Sequence, residues 1–386
     1  MTIYLLMMAL AAVLSYAATW GARGLARKFQ VYTPIRERDV HSDRVARLGG
    51  VGLFVGFAVV LVVASNTYFV KGIFKDTFGP WGILIGAAIV VAVGIVDDVI
   101  DLRWWIKLLG QIAGALVVAT WGVRMLVFPW PGGPLPIDSK PLQFILTVFF
   151  IVLVMNAFNF IDGLDGLAVG VAAISGLAFF LGSYWVRRSS GVTDWSDLST
   201  LLMALLVGIC VGFLVHNWHP AKIFMGDSGS MLIGLIVASG SIAALGQKVV
   251  GNGFYDRIGG VSAIVPIVLP VAILLVPLLD LSLAVVRRTM AGRSPFAADR
   301  GHLHHRLLDL GYSHRGAVLL MYAWTFVMAF GGIAFAFFRW QLVIIVDLIV
   351  VSLMVLITVL RAKQLSRNHE LGTERNPVQG ESTAGS

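Results

Sequence analysis

The sequence predicts an all-α, polytopic membrane protein of about eleven transmembrane helices, and three observations carry that expectation. Of the 386 residues, 58% are hydrophobic and only 13% are charged, against roughly 25% charged in a soluble domain. The apolar residues come in blocks long enough to cross a hydrocarbon core of about 30 Å as helices, which takes about 20 residues. Within those blocks, Leu53 to Ser65 and Gln143 to Met155 for example, apolar and polar residues do not alternate. That excludes the strands of a membrane β-barrel.

Spans are expected at 3–22, 48–66, 80–96, 106–123, 142–161, 167–186, 199–215, 229–246, 260–286, 316–338 and 341–360. The first resembles a signal peptide in length. It lacks a preceding basic stretch and a following small-residue cleavage pattern, so it reads as a span. An odd number of spans puts the termini on opposite sides. Segments after odd-numbered spans hold 20 of the 29 Lys and Arg residues. By the positive-inside rule that side is cytoplasmic, with the N-terminus outside and the C-terminus inside. The net charge of +8 thus reports orientation, and with no basic cluster on a soluble domain, nucleic acid is not an expected partner. The single cysteine, Cys210, lies in an apolar run. It excludes an internal disulfide and a cysteine metal site, and reads as a small buried hydrophobe. Residues 362–386 are polar and rich in Gly, Ser, Glu and Asn, an expected disordered cytoplasmic tail.

The orientation, drawn from basic residues alone, gathers the chemically suggestive residues on the cytoplasmic face. The outer loops hold Lys71, Asp76, Lys140, Asp194 and Asp197 among Gly, Pro and Ser, which reads as solvated connection. On the other face, Asn156 to Gly170 sets two amides, Asn156 and Asn159, and two acids, Asp162 and Asp165, at the end of an apolar run. Acids at a membrane edge are functional candidates by default. Asp162 and Asp165 share a face if the backbone stays helical, while Gly163 and Gly166 let the chain leave the helix. The plainer alternative is a cap and tight turn between spans.

Asp97 and Asp98 are adjacent where the third span reaches the cytoplasm. Neighbouring helical side chains diverge by about 100°, so the pair divides its roles, one acid facing a metal and the other a substrate. Asp101 fits a solvated helix end equally well. Lys107 and Gln111 follow four apart on one face, with Lys107 placed for phosphate contact and snorkelling as its plainer role. From His216 to Met231 the chain brings His, Asn and Lys before Gly226-Asp227-Ser228-Gly229-Ser230, an opening that offers backbone N–H groups to an anion. A simple N-cap would explain the Gly-Asp-Ser but not the cluster before it. In the longest basic loop, His302, His304 and His305 lie between Arg300 and Arg306. Their spacing matches no common zinc pattern, and the flanking arginines favour phosphate binding. Several carboxylates without cysteine favour a hard divalent ion, Mg²⁺ before Zn²⁺, and phosphoryl transfer at the membrane surface.

Asn159-Phe-Ile-Asp-Gly-Leu-Asp-Gly, Phe224-Met-Gly-Asp-Ser-Gly-Ser and His302-Leu-His-His-Arg together resemble the polyprenyl-phosphate N-acetylhexosamine 1-phosphate transferases, over about Arg36 to His305. The resemblance implies ten or eleven transmembrane helices, one catalytic domain over 1–361, Mg²⁺ with Mn²⁺ as an alternative, a UDP-sugar donor, a polyprenyl phosphate acceptor and release of UMP. It implies that Asp97 and Asp98 lie at the acceptor phosphate and metal, that Asp227 binds the metal with Asp98, and that Lys107 is catalytic. Asn156, Asn159, Asp162 and Asp165 match the nucleotide-site motif, Asn217 and Phe224 the uridine pocket, and His302, His304 and His305 the histidine motif near the diphosphate. Arg47-Leu-Gly-Gly resembles the glycine-bearing entry to the second span.

The form His-Leu-His-His-Arg is similar to the N-acetylglucosamine branch and departs from the consecutive histidines of the peptidoglycan translocase. UDP-GlcNAc is therefore the expected donor, and the plasma membrane the expected location, with the site facing the cytoplasm. A homodimer is compatible with these features. The rival from another class is an ion-coupled transporter, whose sites sit near the bilayer midplane and whose halves often repeat. Here the polar groups gather at one face and no repeat relates the halves.

Overall fold

Backbone in hydrocarbon must satisfy its own hydrogen bonds, so apolar runs bounded by Gly, Pro and charge become helices. In a computed structural model, described over residues 1–30, 32, 45–128, 135–189, 197–246, 265–290, 292, 303–335 and 337–374, they do. The helices are α1 (Thr2–Lys28), α2 (Gly49–Asn66), α3 (Gly72–Asp76), α4 (Gly79–Ile100), α5 (Trp104–Thr120), α6 (Lys140–Ile161) and α7 (Leu167–Ser189). They continue with α8 (Leu198–Asn217), α9 (Gly226–Gly246), α10 (Val265–Met290), α11 (Leu303–Asp309), α12 (His314–Ala334) and α13 (Trp340–Glu374).

Each of the eleven expected spans falls on one of these helices. Among the described residues nine are long and apolar enough to cross a membrane, namely α1, α2, α4, α6, α7, α8, α9, α12 and α13. The chain is thus a multi-pass membrane protein. The fourth expected span is the shorter apolar α5, and the ninth is α10.

Three expectations need correction, and one open alternative is decided. The fold is not wholly helical: β1 (Val127–Phe128) and β2 (Leu135–Pro136) pair antiparallel between α5 and α6. The polar segment after Arg361 does not begin as disordered chain, because α13 runs on to Glu374; residues 375–386 lie outside the described residues. Asp197 is no solvated loop residue. Buried, it accepts from the backbone N–H of Ser199 and Thr200 at 3.3 and 2.9 Å, capping α8. Asp162 and Asp165 do not share a helical face, since α6 ends at Ile161 and both fall in the turn before α7.

α9 is the hub, packed by α2, α4, α6 and α8. With lipid tails as apolar as Leu, helices in a membrane associate by close packing, which small residues permit. Its first turns, Gly226-Asp-Ser-Gly-Ser, are narrow enough for α4 to lie directly against them. A Cβ at Gly94 of α4 would collide with the backbone of Ser228. The prediction is that Gly94→Val lowers the unfolding temperature of the detergent-purified protein, as overpacking costs typically 1–3 kcal/mol. Gly24→Ala, where nothing stands within 4 Å, leaves it unchanged. Equal unfolding temperatures for the two variants would contradict the α4–α9 contact.

Candidate active site

The start of α9 would ordinarily leave backbone N–H groups without partners. Here they meet Asp98, whose carboxylate is carried on the last turns of α4. Asp98 Oδ1 accepts from Asp227 N at 3.1 Å, and Oδ2 accepts from Ser228 N at 3.5 Å and Ser228 Oγ at 2.9 Å. The N–H groups expected to hold an anion therefore hold one supplied by the protein. The fit is close: Gly226 has φ +66, and a Cβ there would overlap the Asp98 carboxylate.

Asp97, one residue earlier, points elsewhere, as the divergence of adjacent helical side chains requires. Its Oδ2 lies 2.8 Å from Lys107 Nζ, and the same Nζ lies 3.0 Å from Asp227 Oδ2. Asp97 is buried and Lys107 about a quarter exposed, so the lysine bridges a sheltered carboxylate to one nearer the opening. The turn between α4 and α5 makes this possible. Asp101 ends α4 in the left-handed conformation, φ +53, and Leu102 N donates to Asp97 Oδ1 at 2.8 Å. α5 then returns with Lys107 beside the acids. Asp101 itself is an exposed helix end, as its plainer reading had it.

The second wall comes from α6 and the turn after it. Asn159 Nδ2 donates to Ser230 Oγ at 3.0 Å and lies against the Asp227 carboxylate. Asn156 Nδ2 donates to Gln111 Oε1 at 2.8 Å, tying α6 to α5. Gly166 N donates to Asn217 Oδ1, and Asn217 Nδ2 to the Ile223 carbonyl, both at 2.9 Å. One amide thus fastens the 162–166 turn to the segment leading into α9. Arg47 is positioned by backbone: Phe224 N donates to Ala46 O, Gly49 N to Phe224 O and Gly50 N to Met225 O, at 2.9, 2.9 and 3.0 Å. This zipper fixes Phe224 as well. It brings the Arg47 charge within reach of Asp98 and Asp162.

Asp165 turns away from the acid centre. Its Oδ2 accepts from Ala221 N at 3.0 Å and sits 2.8 Å from His219 Nδ1, while Asp165 N donates to His314 Nε2 at 3.0 Å. Asp165, His219 and His314 bring ligand atoms within 4.8 Å of one another. Two features describe this group as a hydrogen-bonded clamp. The imidazoles stack, 4.1 Å between centroids and 19° between planes. His314 Nε2 also already accepts the Asp165 amide proton. Arg315 Nη2 donates to the His219 carbonyl at 3.0 Å, and the Tyr322 hydroxyl donates to the Gly166 carbonyl. The start of α12 therefore holds the turn. Asp165 and the cluster holding His219 stood out in the sequence, while His314, Arg315 and Tyr322 did not; their only signal was a His-Arg pair just before the tenth expected span.

Arg300 and His302 lie outside the described residues, as do the side chains of His304 and His305, whose backbone forms part of α11. Arg306 is exposed on α11. The segment is anchored by buried Asp280 of α10, whose Oδ1 accepts from Leu303 N at 2.8 Å, another residue the sequence did not single out.

Asp162, just past the end of α6, shows what the assembly does to charge. Burial, and after it repulsion from Asp227, Asp98 and Asp165, push its carboxyl up to about 8, with Arg47 opposing. The folded chain therefore holds this proton where the unfolded chain, titrating near 3.8, has released it. Stability from this group falls as pH rises from about 4 to about 8 and is level above. In metal-free protein, Asp162→Asn should gain unfolding temperature relative to wild type steadily between pH 5 and 8 in a detergent thermal scan. A difference independent of pH would contradict the raised value.

The sequence model of glycosyl transferase family 4 matches residues 80–245, the stretch from α4 through α9. The chain is 39% identical to the decaprenyl-phosphate N-acetylglucosaminephosphotransferase of Mycolicibacterium smegmatis over 356 residues, 91% of this chain and 87% of that one. It is 40% identical to the protein of the same name from Mycobacterium tuberculosis over 331 residues, 85% and 81% of the two chains. To the probable undecaprenyl-phosphate N-acetylglucosaminyl 1-phosphate transferase of Bacillus subtilis it is 34% identical over 296 residues, 77% and 75%. With relatives this similar over most of its length, and with its acid pair, Asn159–Asp165 segment and Gly-Asp-Ser turn joined at one end of a helical bundle, the chain belongs to glycosyl transferase family 4, together with these polyprenyl-phosphate N-acetylglucosamine phosphotransferases.

Proposed function

We propose that the protein transfers N-acetylglucosamine 1-phosphate from UDP-N-acetylglucosamine to a membrane polyprenyl phosphate, releasing UMP. The product is a lipid-linked diphosphate sugar of the kind that starts cell-envelope polysaccharide assembly. The observation that carries this reading is the meeting of the Asp97–Lys107–Asp227 centre with the Asn159 and Asn217 wall, in a chain alike over nine-tenths of its length to an enzyme named for that transfer.

The donor set suits Mg²⁺, with Mn²⁺ as the alternative. Four carboxylates, Asp97, Asp98, Asp162 and Asp227, gather around two cations, Lys107 and Arg47. With Asp162 protonated at neutral pH they leave one negative charge over, on hard oxygen ligands. Asp227 would hold the ion, with Asp98, whose oxygens keep lone pairs beyond those given to α9. Bound there, the ion would neutralise the donor diphosphate and stabilise the UMP leaving group.

The acceptor's phosphate monoester has a second pKa near 6, so at neutral pH it is largely a dianion and needs no strong base. Its oxygen attacks the phosphorus that carries the sugar. The bond from that phosphorus to the UMP oxygen breaks, and the electron pair leaves with UMP. Lys107, held between Asp97 and Asp227, sets a fixed positive charge beside the two phosphates and lowers their repulsion. Asn159 and the turn held by Asn217, with Phe224, line the nucleotide's side. His302, His304 and His305, with Arg300 and Arg306, supply further donors to the diphosphate.

Purified protein given UDP-GlcNAc, a polyprenyl phosphate and Mg²⁺ should release UMP, and do so faster than with UDP-GalNAc or UDP-MurNAc-pentapeptide. Asp227→Asn keeps the shape but loses the anionic oxygen, and should cut turnover at least about a hundredfold. No UMP from any of the donors would sink the reading, while wild-type turnover in Asp227→Asn would remove only the metal assignment.

The membrane is read as crossed eleven times, N-terminus outside and C-terminus inside, with the acid centre cytoplasmic. Single cysteines at Ser139 before α6 and Ser313 before α12, both exposed, test this in intact cells against buried Cys210. An impermeant maleimide should label the first and not the second. The opposite pattern inverts the topology.

A further inference from the structure

The far end of α1 carries a stripe that phosphoryl transfer does not use. Tyr16, Trp20, Arg23 and Arg27 stand at i, i+4, i+7 and i+11, one face of a helix with 3.6 residues per turn. α8 lies tightly along α1, since a Cβ at Gly208 or Gly212 would run into the α1 backbone at Met8 or Ala12. One turn further on, the His216 ring stacks on Tyr16 with 4.6 Å between centroids, and His216 Nε2 lies 3.2 Å from the Tyr16 carbonyl oxygen. Beside that seam α8 exposes Val211 and Val215, and α1 exposes Tyr16 and Trp20, the last 69% accessible. The crevice is the α1–α8 seam itself, flanked by these four exposed apolar side chains, two from each helix.

At the helix-end limit of the crevice the charge is of one sign. Arg23 lies within electrostatic reach of Arg27 and His216, and His216 of Lys222. Among the described residues no carboxylate pairs with Arg23, Arg27, His216 or Lys222. Arg23 Nε is buried without a hydrogen-bond acceptor, a costly condition that an incoming anion would relieve. α1 packs chiefly on α8 and α2, away from the Lys107 bridge between α4, α5 and α9.

We propose that this crevice binds an anionic diacyl phospholipid, its phosphate between Arg23 and Lys222 and its acyl chains over Tyr16, Trp20, Val211 and Val215. Charge complementarity picks an anion. The order along α1, rings first and cations one to three turns later toward the helix end, is the order of tail and headgroup in a leaflet, so a lipid fits where free phosphate would satisfy only half of the site. Basic pockets between helices at a membrane face recognise anionic headgroups by this chemistry. His216 directly precedes Asn217, which holds the nucleotide turn, so an occupied crevice would steady the end of α8 that the active site depends on.

The test is native mass spectrometry of the full-length protein in detergent with equal phosphatidylglycerol and phosphatidylcholine. Wild type should retain phosphatidylglycerol roughly tenfold over phosphatidylcholine. Arg23→Gln with Lys222→Gln should lose that preference, while Arg339→Gln, before α13, keeps it. Equal retention of the two lipids by wild type, or a preference surviving in the double variant, overturns the proposal. So does displacement of the lipid by millimolar inorganic phosphate, which marks a simple anion site, or by equimolar polyprenyl phosphate, which marks an acceptor site. Should the double variant fail to fold, brominated lipids decide on wild type against Trp20→Phe. The fluorescence lost with Trp20 should be quenched more strongly by brominated phosphatidylglycerol than by brominated phosphatidylcholine, and equal quenching refutes the site.

Discussion

The Asp98 carboxylate at the head of α9 is the contact on which the rest of the active site depends. A buried helix start needs acceptors for its free N–H groups, and a buried carboxylate needs donors. Each is the other's solution here, through Asp227 N, Ser228 N and Ser228 Oγ. Because Asp98 sits on α4, satisfying it fixes how far α4 reaches along α9. Gly94 and Gly226 then remove the side chains that would keep the two apart. Asp227, in the first turn of α9, is aimed by this contact, and Lys107 finds both Asp97 and Asp227 only because α4 and α9 are held in that register.

The arrangement crowds like charges. Four carboxylates gather around two cations, and the strain appears in Asp162, whose carboxyl is driven to about 8 by burial and by its neighbours. Lys107, about a quarter exposed, ties Asp97 to Asp227 at 2.8 and 3.0 Å. The acid centre thus holds more acidic than basic side chains. The wall from α6 and the turn after it is built differently, from neutral amides and backbone donors, with the His219–His314 stack bracing Asp165 from behind.

The sequence by itself determined the class of protein and the content of the site. Long apolar runs without alternation have one solution in a bilayer, which is why each expected span lies on a helix. The acids and amides stood out because charge at a membrane edge is too expensive to be incidental. The divergence of Asp97 and Asp98 followed from helix geometry alone. The partners those groups choose were beyond its reach. Asp98 binds residues about 130 positions away, and His314 meets Asp165 across 149; no local pattern encodes such contacts. Asp162 and Asp165 part company because α6 stops at Ile161 and the Asn217 amide takes the next turn. Asp197, read as a loop residue, and Asp280, which nothing in the sequence singled out, accept from the first turns of α8 and α11. Only tertiary structure decides such matters, because a polar group's role is set by which donors and charges the packing of distant helices brings within about 3 Å of it.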